Sequence, residues 1–147
     1  MNSKADKFFE LAPADQWMLL RSFALVALVR LGLSWRTLAQ VRQRLAAWIA
    51  ARPAYPVDEA QREKLIWSVR VVSRFVPMAT CLTQALATQA LLGRAGIQTQ
   101  LRLGVLRDES GVFRAHAWVE CDGRVLIGEQ GELQNYAAFA PIPSHQF

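Results

Sequence analysis

The chain has 147 residues, enough for one domain with a core of its own. It shows no low-complexity tract and no internal repeat, which excludes a disordered or solenoid protein. Hydrophobic residues make up 52%, with five Trp and seven Phe, so the chain either buries well or offers apolar surface to partners. The formal charge of +5 is uneven: residues 1–76 hold twelve Lys/Arg against six Asp/Glu, and residues 77–147 hold five against six. The arginines are dispersed along helical segments with no nucleic-acid motif beside them, which argues against nucleic acid and fits an acidic peptide or protein partner.

Two cysteines, Cys81 and Cys121, make no disulfide framework, and neither has a CxxC neighbour, so no metal site is expected. The N-terminus is polar and lacks a secretory core directly behind it. Trp17 to Trp35 is strongly apolar, but Arg21 and Arg30 interrupt it, so the segment reads as a buried helix and not a transmembrane span, with membrane-surface association as the weaker alternative. A reducing, cytoplasmic location follows as the default.

In chain order, Pro13 followed by Asp15 opens a first long helix over about 13–31, apolar nearly all round and therefore expected to be buried on most faces. Gly32 is expected to close it. Ser34 is read as the N-cap of a second helix, about 35–51, with Leu38, Val41, Leu45, Trp48 and Ile49 at helical spacing and Arg36, Arg42 and Arg44 solvated. Arg52 to Pro56 is a linker. Asp58 and Gln61 form a capping box for a third helix, about 59–74, with Leu65, Ile66, Val69, Val72 and Phe75 inward. Pro77 ends that element. Thr80 then caps a fourth helix whose first turn holds Cys81 and whose end is Gly96.

From Gln98 the period changes to two. Leu101, Leu103 and Val105 form one strand, and Phe113, Ala115, Ala117 and Val119 a second, with His116 on its other face beside Arg114 and Trp118. Asp108 to Gly111 is a turn. Asp122-Gly123 is a two-residue hairpin signal leading to a third strand, Arg124 to Ile127. The tail after Gly131 is irregular, with one short helical turn. The fold class is α+β: helices first, then a small antiparallel sheet. We expect a single domain over 1–147, with a helical front part (1–75) and a Cys–His core (76–147).

A cysteine at a helix start and a histidine on a following strand are the skeleton of a thiol nucleophile and its base. Helix N-terminal N–H groups and an adjacent imidazole both favour thiolate over thiol. The hairpin adds a third candidate. With Asp122 and Gly123 at the turn centre, Cys121 faces Arg124, Glu120 faces Val125 and His116 faces Glu129. Glu129 would then share the face of His116 and orient its ring, provided no bulge interrupts the ladder. Glu120 and Asp122 are alternatives for that role. His145 lies in a Pro-flanked tail and is a poorer base. The backbone N–H of Cys81 is the expected oxyanion donor. Trp118 is either core or a cleft wall; Trp67, Ser73 and Arg74 are either core and solvated face, or a cleft wall and a charge that receives substrate. Taken alone, Cys81 could be a small buried hydrophobe, His116 a structural histidine and Cys121 an incidental thiol.

Trp67, Ser73-Arg74-Phe75-Val76-Pro77, Cys81-Leu82, Ala85-Leu86, Leu91-Leu92, Arg94, Gly96, Gly104-Val105, Ala115-His116-Ala117-Trp118-Val119-Glu120 and Gly123 with Val125-Leu126-Ile127-Gly128 together resemble the lasso peptide biosynthesis leader peptidases. That family lies within the transglutaminase-like superfamily of papain-like cysteine enzymes, and the resemblance covers about 11–130. It implies removal of the leader from a ribosomally made precursor peptide before an ATP-dependent cyclase closes a macrolactam. It implies Cys81 as nucleophile and His116 as general base and acid, with no metal or organic cofactor. The family triad usually ends in Asp, where this chain reads Gly128-Glu129. The resemblance also implies a stand-alone peptidase served by a separate small leader-binding protein, with the apolar, basic front helices as docking surfaces. Thr80, Trp67, Arg74 and Trp118 are the residues expected near substrate or oxyanion. Two other classes share these residues: a thiol acyltransferase of transglutaminase type, and a non-catalytic peptide-binding module of the same fold.

Overall fold

A computed structural model describes residues 4–128 and 133–143 of the chain. Five helices precede a small antiparallel sheet, as the change of period implies. They are α1 (Lys4–Phe9), α2 (Pro13–Trp35), α3 (Leu38–Ala50), α4 (Glu59–Ser73) and α5 (Cys81–Arg94). The strands are β1 (Gln100–Arg107), β2 (Phe113–Cys121), β3 (Arg124–Ile127), β4 (Ala137–Ala138) and β5 (Ile142–Pro143). The sheet runs in the order β3-β2-β1-β4, and β5 also pairs with β1.

The caps explain most helix starts. Asp58 and Gln61 satisfy each other's backbone N–H groups in a capping box that opens α4. Thr80 accepts from the N–H of Thr83 and opens α5, so Cys81 is the first residue inside that helix. Gly96, at φ 76°, ends α5 in a left-handed cap that Ala95 leads into. Ten of the fourteen residues of α5 are buried, which makes it the central helix. It contacts α2, α3 and α4 as well as β1, β2 and β3. Small residues permit this: Ala85, Ala87 and Ala90 are fully enclosed, and Leu86 and Leu92 fill the space between the layers. Each such leucine contributes about 1.5–3 kcal/mol by its burial.

Several expectations are corrected. The first long helix runs through Gly32 to Trp35; the glycine serves packing instead, since a Cβ there would lie 3.3 Å from Val41 Cγ2 on α3. Ser34 caps nothing. Its hydroxyl bonds Arg30 on the same helix, and Thr37 with Gln40 forms the box that opens α3. Nor is α2 buried all round. Leu19, Ser22, Leu25, Val26 and Val29 face α3, α4 and α5, while Leu20, Phe23, Leu28, Leu31 and Trp35 are exposed. By length and composition alone α2 could cross a membrane (23 residues, mean hydropathy 1.5). Phe75 falls beyond the end of α4 and is exposed, and Arg42 is half-buried because its guanidinium donates to the carbonyl of Pro143. The N-terminal segment forms α1, and the tail adds β4 and β5 to β1 besides the expected turn, a 3-10 turn at Leu133–Asn135.

The hairpin is as expected at its turn: Asp122 and Gly123 both take positive φ, Cys121 faces Arg124 and Glu120 faces Val125. One residue further the ladder slips. Val119 faces Ile127, with a bulge between Val119 and Glu120, and the regular pairing ends there. The register that would set Glu129 opposite His116 therefore does not carry through. Glu129 and His145 lie outside the described residues.

Candidate active site

Cys81 occupies the first position of α5 because Thr80 stops the preceding chain and supplies the cap. Its side chain is partly buried against the core. The first N–H groups of a helix have no intrahelical partner, and Thr80 takes that of Thr83. Cys81 thus sits at the positive end of the helix dipole, in the turn whose N–H groups lack intrahelical partners. Ahead of it, Met78 holds a positive φ of 59°, an uncommon conformation for a residue with a side chain. Its exposed sulfur accepts from Arg30 at 3.6 Å.

His116 lies on β2, the strand against which α5 packs. Alternation along β2 sends Ala117 and Val119 into the core, and His116, Trp118 and Glu120 to the other face. His116 is 6% exposed, so its polar atoms look chiefly to the protein for partners. Its ring stacks on Trp118 (centroids 6.0 Å apart, planes at 20°) and tilts against Tyr136 at 5.7 Å. Nε2 lies 2.6 Å from the carbonyl oxygen of Gly128. A carbonyl only accepts, so Nε2 carries a proton, and in the neutral ring the lone pair lies on Nδ1.

The carboxylates weighed as orienters are engaged elsewhere. Glu120 accepts the indole N–H of Trp118 at 2.7 Å, and Asp122 forms the hairpin turn, within 3.7 Å of the Cys121 sulfur. Cys121 also donates to the carbonyl of Gln98, and burial, reinforced by Asp122, pushes its thiol pKa up. That is the environment of an inert thiol.

Of the expected site residues, the structure brings His116 and Trp118 together and sets Thr80 as the cap beside Cys81; α5 packs on the core face of the histidine strand, opposite the face that carries the His116 ring. No hydrogen bond joins Cys81 to His116 among the described residues. Trp67 and Arg74 stand apart, lining a groove with α1 and α2 whose walls include neither Cys81 nor His116. Two members of the site were missed in the sequence. Gly128 stood at the end of a strand-like run, which was its only signal. Tyr136 carried none, since its place depends on the tail pairing with β1. Gly104, opposite His116 on β1, makes room for both aromatic rings: a Cβ there would lie 3.0 Å from Tyr136 Cβ and 3.1 Å from the Trp118 ring. Among the described residues, no three His, Cys, Asp or Glu side chains converge as metal ligands.

No curated protein and no solved structure matches this chain. The family model described as "Transglutaminase-like superfamily" matches residues 25–143, which span α2 to β5 and contain both Cys81 and His116. That superfamily includes cysteine peptidases and acyltransferases. A match over most of the chain, on an α+β fold with a cysteine-headed central helix packed on a histidine strand, shows that the chain belongs to the transglutaminase-like superfamily.

Proposed function

We propose that this protein is a cysteine peptidase that removes the leader from a lasso precursor peptide before macrolactam closure. The observation that carries the reading is the placement of Cys81 at the first position of α5, on a helix packed against the strand that holds His116. The His116 tautomer supports it, because a lone pair on Nδ1 is what a general base needs.

In this mechanism His116 Nδ1 takes the proton of the Cys81 thiol, and the resulting thiolate attacks the carbonyl carbon at the leader–core junction. The carbonyl π pair moves to oxygen, and the N–H of Cys81 donates to that oxyanion. The C–N bond then breaks, His116 passes its acquired proton to the departing amine of the core, and the leader remains as a thioester on Cys81. His116 next takes a proton from water, hydroxide displaces sulfur, the leader leaves as an acid, and His116 returns its proton to the Cys81 sulfur. Trp118 and Tyr136 wall the imidazole and exclude water from its faces.

The partners in this reading are the precursor, a separate small leader-binding protein and an ATP-dependent cyclase. Two apolar grooves on the helical side suit such docking. One, of about 700 Å³, includes Phe23, Trp67 and Phe75 with Lys4, Lys7 and Arg74. The other, of about 690 Å³, includes Leu28, Leu31 and Trp35 with Arg21, Arg36 and Arg44. Among the described residues neither is lined by a carboxylate, so both favour an acidic, amphipathic surface. Two free thiols suit a reducing compartment.

The test is mass spectrometry of a candidate precursor incubated with the protein, with and without a leader-binding partner. Two fragments summing to precursor plus water, absent with Cys81→Ala, support the peptidase. A precursor that gains mass from an amine instead identifies an acyltransferase.

A further inference from the structure

We infer that the main-chain carbonyl of Gly128 is the group that orients His116, in the role a nucleophile triad usually gives to a carboxylate. The inference deepens the reading of Cys81 and His116 as an acyl-transfer pair and rests on it.

The hydrogen bond from Nε2 to Gly128 O is short, at 2.6 Å, and lies in a largely water-free setting. The acceptor is also held rigidly. Gly128 adopts φ +85°, a conformation open to glycine and strained for other residues. A Cβ at this position would lie 2.7 Å from Ala117 O, 2.8 Å from Trp118 Cβ and 2.9 Å from Trp118 Cα. Two of these are backbone atoms of the histidine strand itself. The absence of a side chain is thus what lets the chain after β3 pass close enough to β2 for its carbonyl to reach the ring. The bulge between Val119 and Glu120 shifts the pairing just before this point. Trp118 and Tyr136 fix the ring plane, and Gly128 O fixes which nitrogen bears the proton. A carbonyl does this without a formal negative charge, so it selects the tautomer while stabilising the imidazolium less than a carboxylate does.

The prediction distinguishes Gly128 from Glu129, the next residue and the expected family-like orienter. The protein is labelled with nitrogen-15 and carbon-13, and long-range proton–nitrogen and nitrogen–carbonyl spectra of the imidazoles are recorded with the ring neutral. His145→Gln assigns the two histidines. His116 is expected as the Nε2–H tautomer, with a through-hydrogen-bond coupling from Nε2 to the Gly128 carbonyl carbon, and both should persist in Glu129→Gln. Gly128→Ala should lose the coupling and mix the tautomers. Its kcat for the peptide should fall by about 100-fold, the cost of a misplaced catalytic group, with KM unchanged. An Nδ1–H tautomer in the unaltered protein overturns the inference, as does a tautomer that follows Glu129→Gln. Should Gly128→Ala fail to fold, the unaltered protein and Glu129→Gln still decide. None of the spectra requires a substrate, so a protein that cleaves no precursor yet shows the Nε2–H tautomer and the coupling would defeat the peptidase reading and keep the orienting contact.

Discussion

Ser22 and Ser68 are buried to 0% exposure where α2 meets α4, with their hydroxyl oxygens 2.7 Å apart. Ser68 Oγ also lies 2.6 Å from the carbonyl of Leu65, which can only accept. The single Ser68 proton therefore goes to Leu65, and Ser22 must donate to Ser68. This order predicts an asymmetric double-mutant cycle. Ser22→Ala removes a donor but leaves Ser68 bonded to Leu65, so it should cost about 0.5–1.5 kcal/mol, the net value of one hydrogen bond. Ser68→Ala strands the Ser22 hydroxyl in the core and should cost about 1–3 kcal/mol, the desolvation of an unsatisfied group. Ser22→Ala/Ser68→Ala leaves nothing stranded and fills the interface with methyl groups, so it should cost less than Ser68→Ala alone. Urea unfolding at constant m reads all three as shifts in midpoint. Strict additivity, with the double variant the least stable, would refute the proton order and the buried pair with it.

Thr80→Ala should lower stability by about 1 kcal/mol through loss of the α5 cap, and Thr80→Ser should restore it. Thr80→Asp should also restore the cap but slow turnover, because a carboxylate beside Cys81 disfavours the thiolate. Asp108 offers a pH test. The Ser110 hydroxyl first, then the Val112 N–H, hold its carboxyl below the usual carboxylate value. A depressed folded value means that this turn is stabilised in full above the unfolded value and loses that stabilisation as pH falls through the folded one. Carbon-13 titration of the side chain should show a low midpoint that rises in Ser110→Ala. An unshifted midpoint in both proteins would contradict the turn's hydrogen bonding.

What could be read from the sequence was what depends on neighbours a few residues apart. The Asp58–Gln61 box, the Thr80 cap, the Gly96 terminator and the Asp122-Gly123 turn each act within about four residues, and each stands where the spacing placed it. Cys81 at a helix start and His116 on a strand follow from the same local signals. Most of the misreadings involve distant partners; the Ser34 cap is the exception, since the Thr37–Gln40 box that opens α3 is itself a local signal. Arg42 looked solvated because its acceptor, Pro143, is 101 residues away. The apolar stretch of α2 exceeds what α3, α4 and α5 can cover, which no window on α2 reveals. The two-residue strands β4 and β5 are too short to show a period. The bulge beside Glu120 has no residue signature, yet it removes the register that pointed to Glu129. The hydrogen bond to Gly128 uses a backbone oxygen, which side-chain identities do not announce.

The central claim is that Cys81 carries the acyl group between leader and water. The most direct measurement is rapid acid quench of the protein with a precursor, followed by intact and peptide mass analysis. A transient mass gain equal to the leader acid less one water is expected, located on the peptide that contains Cys81 and absent from that containing Cys121. The gain should accumulate when the histidine is weakened for the water step, as in His116→Gln supplied with an activated leader thioester. Undiminished cleavage by Cys81→Ala, or an acyl group found on Cys121, would contradict it.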